Sequence, residues 1–153
     1  MREQREATGT GTIRPGRPSE LGAVRRLLEA SKLPVEGVPD SLENFLVALD
    51  GDRVIGAIGL EIFGESALLR SAVVDETARG SGLGAQLVEG ALAKARVLRL
   101  TDVYLLTTTA EKYFPRFGFK AVSRESAPVE MRKSVEFTTA CPASAILMKR
   151  ELR

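Results

Sequence analysis

The sequence contains no histidine and only one cysteine, Cys141, and each shortage excludes a class of chemistry. Without histidine there is no histidine-based catalytic triad, no histidine general base and no His-ligated metal site. With one cysteine the chain forms neither an intrachain disulfide nor a CxxC motif. Since no histidine can activate the Cys141 thiol, we predict a buried spectator at that position and not a nucleophile. Carboxylates, hydroxyls, main-chain amides, tyrosine, lysine, arginine and that single thiol are the groups left for catalysis.

The chain also lacks a large excess of charge and any long apolar segment. Its 22 basic and 20 acidic residues give a net charge of +2, which does not suggest a nucleic-acid partner. No apolar run approaches the ~20 residues of a membrane-spanning helix, and the N-terminus lacks the apolar core of a secretory signal. We therefore expect a cytoplasmic protein with no membrane partner. Residues 1–11 are polar and aperiodic and are predicted to be a flexible tail, and residues 12–153 a single domain.

Hydrophobic periodicity and turn residues predict seven strands and three helices. The predicted strands are Thr12–Pro15, Asn44–Leu49, Arg53–Phe63, Ala67–Val74, Val103–Thr107, Phe119–Ser123 and Ala143–Lys149. One helix follows a cap at Ser19, and the others span Leu83–Leu98 and Ala110–Phe117, while residues 124–142 form a polar stretch. Tight turns at residues 50–52 and 64–65 make three consecutive strands antiparallel neighbours. This order predicts an α/β fold with a mixed, mostly antiparallel central sheet and helices on both faces.

The sharpest motif is a glycine-rich loop between a strand and a helix. It reads Val73-Val74-Asp75-Glu76-Thr77-Ala78-Arg79-Gly80-Ser81-Gly82-Leu83-Gly84. Glycines let a ligand approach the main chain, and the N–H groups at the start of the following helix favour a phosphate. The Walker A pattern is excluded because Ala85-Gln86 follows Gly84 where Lys-Ser/Thr is required, and the glycine spacing differs from G-x-G-x-x-G.

Arg79, Gly82 and Gly84 match Arg-x-x-Gly-x-Gly, so the loop resembles the pyrophosphate-binding loop of the GNAT acyltransferases. Residues 107–119 (TTTAEKYFPRFGF) resemble the family's later segment Asn-x-x-Ala-x-x-Phe-Tyr-x-x-x-Gly-Phe. With the order of elements, the resemblance runs from Ile13 to Leu152. It implies a GNAT-like fold and acetyl-CoA as the donor substrate, with no metal. The cofactor-binding residues that it implies are Ala72, Val73, Val74, Arg79, Gly80, Ser81, Gly82, Leu83, Gly84, Thr107 and Phe114.

Two positions depart from the family pattern. Thr107 stands where the family often has asparagine, although its hydroxyl can still form a hydrogen bond with the cofactor. Phe114 replaces the tyrosine that in many relatives protonates the departing CoA thiolate, so the general acid stays unassigned. Tyr113 is one residue away, about 100° around a helix, and we expect it to pack.

Three shorter segments resemble the arsenic-resistance-operon N-acetyltransferases. They are Ala67-Leu68-Leu69-Arg70-Ser71, Leu105-Leu106-Thr107-Thr108-Thr109-Ala110 and Cys141-Pro142-Ala143-Ser144-Ala145. The Leu-Leu-Thr-Thr stretch also resembles the acetyltransferase domain of N-acetylglutamate synthases. Both resemblances imply that the acceptor is a small amino acid or a toxic analogue of arsenical or phosphinate type.

The acceptor half of the reaction depends on polar residues in the central strands. The GNAT resemblance implies that a main-chain N–H of strand Ala67–Val74 polarises the thioester carbonyl. Glu61, near the end of an apolar strand, is the predicted general base, although a water-facing glutamate is equally consistent with its position. Arg70, in the middle of a strand, is predicted to hold an acceptor carboxylate, with an internal salt bridge as the alternative. Ser71, Phe137 and Thr138 complete the predicted substrate-binding residues.

These features predict an acetyl-CoA-dependent N-acetyltransferase that transfers the acetyl group directly in a ternary complex. Two other functions remain open: a non-catalytic acyl-CoA sensor, which Phe114 favours, and a protein lysine or N-terminal acetyltransferase. A homodimer is expected from the resemblance alone.

Overall fold

The computed structural model of the chain describes residues 12–140 and 143–152. The strands are β1 (Thr12–Pro15), β2 (Phe45–Asp50), β3 (Arg53–Phe63), β4 (Ser66–Val74), β5 (Asp102–Thr107), β6 (Lys120–Val122) and β7 (Ile146–Glu151). The α-helices are α1 (Leu21–Ala30), α2 (Leu83–Val97) and α3 (Val129–Arg132). Short 3₁₀ turns span Pro18–Glu20, Glu76–Ala78, Phe114–Phe117 and Arg124–Ser126, and a π-helical turn spans Glu136–Ala140. The predicted tail and Cys141 lie outside the described residues.

The strands form one sheet in the order β1-β2-β3-β4-β5-β7-β6. Antiparallel pairing joins β1 to β2, β2 to β3, β5 to β7 and β7 to β6. The β4–β5 pair is parallel, with Ser66 opposite Asp102 and Leu69 opposite Leu105, because a helical crossover connects these two strands. The prediction of a mixed, mostly antiparallel sheet is therefore confirmed.

The described residues divide into two compact units, the first of which runs through Gly59 and then from Ser71 to Ala91. One face of β2 carries Phe45 and Val47, which pack with Val24 and Leu28 of α1. Alternate residues face α2: a Cβ built on Gly56 would lie 3.0 Å from Leu87, and one built on Gly90 would lie 3.1 Å from Leu46. Successive strand residues point to opposite faces, so α1 and α2 cover the two faces of this part of the sheet.

The second unit comprises Leu60–Arg70 and the described residues from Leu92 onward. Its core combines strand residues with the segment between β6 and β7. The buried members of this cluster are Leu68, Tyr104, Ala127, Met131, Phe137 and Leu147. Residues 124–140 thus fold over the sheet and contribute apolar side chains to a core.

Several predicted boundaries were wrong. Ser19 does not cap α1, because it lies inside the 3₁₀ turn Pro18–Glu20 and Glu20 is the N-cap residue. The helix predicted over Ala110–Phe117 is only a 3₁₀ turn from Phe114, since Pro115 has no N–H for an α-helical bond. The polar stretch 124–142 was predicted without helices, but it contains a 3₁₀ turn, α3 and the π-helical turn.

The last strand begins three residues later than predicted, at Ile146, and ends at Glu151. Its limits follow its partner, because Asp102 of β5 pairs with Glu151 and Thr107 pairs with Ile146.

The two edges of the sheet are short strands. β1 has four residues and ends in Pro15, and β6 has three residues and begins with Lys120. Among the residues that the structure describes, no helix is both long and apolar enough to cross a membrane.

Candidate active site

The glycine-rich loop begins at Asp75, which anchors it to the end of β4. The Asp75 N–H donates to the Ile55 carbonyl at 2.7 Å. Its carboxylate accepts the Thr77 N–H at 3.4 Å and the Thr77 hydroxyl, and pairs with Arg53 at 2.7 Å. The Thr77 hydroxyl above all, and also Arg53, hold the pKa of Asp75 below its ordinary value, so this carboxylate stays charged at neutral pH.

Two glycines then turn the chain into α2. Gly80 and Gly82 have φ of +82° and +87°, a region that side chains with a Cβ rarely adopt. The helix begins at Leu83, and the Gln86 N–H donates to the Gly82 carbonyl at 3.1 Å. In an α-helix the first N–H groups have no acceptor within the helix, so those of this turn face the loop. Together with the helix dipole they form an arrangement suited to a phosphate.

Arg79 and Ser81 stabilise the loop through main-chain carbonyls. Arg79 is exposed; its Nε donates to the Val74 carbonyl at 3.2 Å and its Nη2 to the Ser31 hydroxyl at 3.0 Å. These contacts engage two of the five N–H donors of a guanidinium. The Ser81 hydroxyl donates to the Ala78 carbonyl at 2.6 Å.

The side chains of the other predicted cofactor residues in this unit differ in exposure. Ala72 is exposed, Val74 is half-buried, and Gly84 lies in the first turn of α2. Val73 and Leu83 are 6% and 1% exposed and belong to the core. Any contact that these two residues make with a cofactor therefore comes from their main chain.

In the second unit, Arg70 lies between two carboxylates. Its side chain is fully covered, and it reaches Glu61 Oε1 at 3.3 Å from Nη1 and Glu136 Oε2 at 3.5 Å from Nη2. The Glu61 side chain is 23% exposed and that of Glu136 is 9% exposed. An uncompensated guanidinium in such a position would be strongly destabilising, and the two carboxylates supply the compensating charge.

The next residue, Ser71, has φ of +58° although it lies in the middle of β4. A non-glycine residue in the left-handed region is unusual in a strand and marks a local bend. The predicted substrate-binding pair Arg70-Ser71 therefore lies where β4 departs from regular extended geometry.

Thr107 and Phe114 both follow the end of β5. The Thr107 hydroxyl accepts the Ala110 N–H at 2.9 Å, which leaves its own proton as a donor. Phe114 is 9% exposed, and its ring packs edge-on against Tyr113 at 5.3 Å and Phe119 at 5.7 Å. Tyr113 also carries the Arg116 guanidinium 4.4 Å from its ring centroid, an environment of packing contacts, as predicted for this residue.

Phe137 and Thr138 lie in the π-helical turn. Phe137 is 8% exposed within the core cluster, whereas Thr138 is exposed and its hydroxyl donates to the Ser134 carbonyl at 2.8 Å. Arg124 holds the segment, since it donates to the Ala145 carbonyl at 2.8 Å and the Phe137 carbonyl at 3.4 Å. Thr138 is thus the more accessible of these two predicted substrate-binding side chains.

The structure brings Glu61 and Arg70 together, and the sequence prediction missed Glu136 beside them. Glu136 falls in a polar stretch with no periodicity, so no local pattern pointed to its partner. The need of a mid-strand arginine for a negatively charged partner was the available signal.

A separate groove of about 370 Å³ lies along β6 and β7, and none of the predicted site residues lines it. Its lining residues are Gly118, Lys120, Val122, Lys149, Arg150 and Glu151.

A strand thus leads through positive-φ glycines into the N-terminus of a helix on a mixed α/β sheet, an arrangement suited to binding a phosphate. The family model described as the acetyltransferase (GNAT) domain matches residues 41–121. The chain belongs to the GNAT acetyltransferase family, and it is an acetyl-CoA-dependent N-acetyltransferase.

Two curated proteins illustrate its relatives. An uncharacterized N-acetyltransferase of Chlorobaculum tepidum is 28% identical over 138 residues, which is 85% of this chain and 86% of the relative. The amino-acid acetyltransferase of Mycobacterium tuberculosis is 30% identical over 127 residues, which is 76% of this chain and 71% of the relative.

Solved structures share the fold at lower identity. A Mycobacterium tuberculosis protein in complex with CoA and NLQ has a TM-score of 0.79 at 24% identity, covering 93% of this chain and 99% of its own. N-acetylglutamate synthase from Neisseria gonorrhoeae, in complex with coenzyme A and N-acetyl-glutamate, has a TM-score of 0.79 at 20% identity. The match covers 93% of this chain but 35% of the synthase. These likenesses confirm the GNAT fold.

Proposed function

We propose that this enzyme transfers the acetyl group of acetyl-CoA to the amino group of an amino acid, or of an amino-acid analogue of arsenical or phosphinate type. The observation that carries the proposal is the 30% identity to an amino-acid acetyltransferase over 76% of the chain. Transfer is direct, within a ternary complex, because the sequence has no histidine to activate its single thiol as an acyl carrier. Closeness to the arsenic-resistance enzymes, a cytoplasmic location and a homodimer stay predictions.

On the donor side, the loop Arg79–Gly84 holds the pyrophosphate of acetyl-CoA. The N–H groups around Gly82, Leu83 and Gly84 donate to its oxygens, and Arg79 adds a charge-assisted hydrogen bond. Gly80 and Ser81 keep the loop in its turned conformation. Ala72 and the main chain of Val73 and Val74 border the pantetheine arm, and Thr107 and Phe114 contact the cofactor elsewhere along its length.

For the chemical step, Glu61 removes the proton of the acceptor ammonium, directly or through a water molecule. The 23% exposure of its side chain leaves it reachable, while Arg70 fixes its orientation. A main-chain N–H of β4 polarises the thioester carbonyl, and such a donor contributes about 3–4 kcal/mol in acyl transfer. If Glu61→Gln leaves kcat and its pH dependence unchanged, Glu61 is not the base.

On the acceptor side, Arg70, Ser71, Phe137 and Thr138 recognise the amino acid. Because Arg70 already contacts two carboxylates, an acceptor carboxylate must join or displace one of them. Arg70→Ala should therefore raise KM for the acceptor while the affinity for acetyl-CoA stays intact. Equal losses for both substrates would point to a purely structural role for Arg70.

A thiol-release assay with acetyl-CoA tests the proposal. The panel contains free amino acids, their arsenical and phosphinate analogues, simple amines without a carboxylate, and short peptides that carry a lysine or a free N-terminus. Turnover limited to the amino acids and analogues supports the proposal. Turnover limited to peptides identifies a protein acetyltransferase instead, and tight acetyl-CoA binding without turnover identifies the sensor that Phe114 would favour.

A further inference from the structure

We infer that Glu136 is a positioning residue for the proposed base Glu61, acting through the guanidinium that both carboxylates share. This inference rests on the proposed role of Glu61 in the reaction. Its structural basis is the cluster of Arg70, Glu61 and Glu136, in which each carboxylate contacts a different nitrogen of one covered guanidinium.

The cluster has one positive and two negative charges, so its net charge is −1 when both glutamates are ionised. Glu136, at 9% side-chain exposure, is the more deeply buried of the two carboxylates and balances Arg70 from the π-helical turn. Glu61, at 23%, is the more accessible. The arginine charge is thereby shared, and Glu61 is oriented without being the only counter-ion.

The other charged residues in the described elements beside Glu61 do not replace this effect. On β3 the remaining charged residue is Arg53, eight strand positions from Glu61 and in the first unit, where it pairs with Asp75. On β4 the charged residue is Arg70 itself, and the connecting turn carries an exposed Glu65. In the segment before Glu136, Glu130 and Lys133 are exposed and pair with each other at 3.4 Å.

The consequence concerns orientation. Hydrogen bonds between charged partners are shorter and stronger than those between neutral partners. With Glu136 ionised, Arg70 is held through Nη2 from the π-helical turn and presents Nη1 to Glu61. When Glu136 is made neutral, this restraint on Arg70 weakens, and the Glu61 carboxylate is held less firmly.

The test uses Glu136→Gln, which keeps the side-chain shape, with Glu130→Gln as the matched control from the same segment. The Glu61 carboxyl carbon is followed by NMR at constant pH, its signal being assigned by its loss in Glu61→Gln. We expect this signal to shift or broaden in Glu136→Gln and to stay unchanged in Glu130→Gln. The kcat of Glu136→Gln should fall about 10- to 100-fold while KM for acetyl-CoA stays unchanged, because a displaced catalytic group slows the chemical step.

An unchanged Glu61 signal together with an unchanged kcat in Glu136→Gln overturns the inference. Should that variant fold poorly, Glu136→Asp decides, since it keeps the charge but withdraws it from Arg70 Nη2. A kcat of Glu136→Asp equal to that of the unmodified protein also overturns the inference. The NMR measurement needs no turnover. A failure of the proposed function, seen as absence of acetyl transfer to every amine of the panel, is therefore distinguishable from a failure of this inference.

Discussion

Replacing Gly82 by alanine should weaken acetyl-CoA binding in addition to destabilising the fold modestly. Gly82 has φ of +87°, and nothing lies within 4 Å of a Cβ built on it, so crowding is not the obstacle. The cost is conformational, about 1–2 kcal/mol for an L-residue held in the left-handed region. For a chain of this length, that corresponds to a fall in Tm of about 2–8 °C.

The effect on binding has a different origin. If alanine relaxes to a negative φ, the N–H groups of the loop no longer point together at the pyrophosphate. Loss of one hydrogen bond to a charged group costs about 1.5–3 kcal/mol, so KM for acetyl-CoA should rise about 10- to 100-fold. Steady-state kinetics with varied acetyl-CoA, together with calorimetric binding of CoA, measure this change.

Gly51 provides a matched control in the same unit. It has φ of +62° in the β2–β3 turn, again with nothing within 4 Å of a built Cβ. Gly51→Ala should therefore lower Tm by a similar amount and leave KM for acetyl-CoA unchanged. Equal KM values in Gly51→Ala and Gly82→Ala would refute the assignment of the loop as the pyrophosphate site.

Three further perturbations test the fold around the site. A Cβ on Gly59 would overlap the ring of Phe45. Gly59→Ala should therefore lower the free energy of unfolding, measured by urea denaturation, by about 1–3 kcal/mol, and the added change Phe45→Leu should restore part of that stability. Asp75→Ala removes the acceptor of two hydrogen bonds from Thr77 and should lower the free energy of unfolding by about 1 kcal/mol at pH 7. Since the pKa of Asp75 is lowered in the folded state, its carboxylate stabilises the fold above about pH 4, and this stabilisation is lost as the pH falls through the pKa of the folded state. Denaturation curves of the two proteins should therefore converge in acid, and a constant difference would contradict this. Arg124→Ala should speed amide hydrogen exchange in the segment after α3. Arg124→Lys should not restore slow exchange, because the lysine ammonium does not reproduce the planar guanidinium that donates to two carbonyls.

Local patterns were sufficient to predict most of the sheet. The run Arg53–Phe63 was predicted with both ends correct, because Gly51 and Gly64 supply the positive φ that the flanking turns need. The helix from Leu83 was predicted from its apolar spacing and from the glycines before it. One error arose where tertiary pairing decides, at Ile146, whose strand takes its limits from β5. Another had a local cause, since Pro115 does not support the predicted helix.

In the candidate site, too, features that are local in the sequence were predicted and contacts between distant segments were not. The glycine-rich loop is contiguous in sequence, so its residue types and spacing were enough to predict the turn that leads into α2. The cluster around Arg70 joins three elements, and its third member, Glu136, comes from residues whose helical turns are too short to leave a periodic pattern. Sequence spacing carries no information on a contact of that kind.

The short edge strands have a consequence for self-association. An exposed strand edge is a template for pairing with another chain, and natural proteins protect such edges with proline, lysine or brevity. Here Pro15 ends one edge strand and supplies no N–H, while the other edge has three residues and begins with Lys120. Within residues 12–140 and 143–152, neither edge offers a long, uninterrupted ladder of donors and acceptors. Pairing of two chains through these described edges, and the growth of β-aggregates from them, is therefore disfavoured.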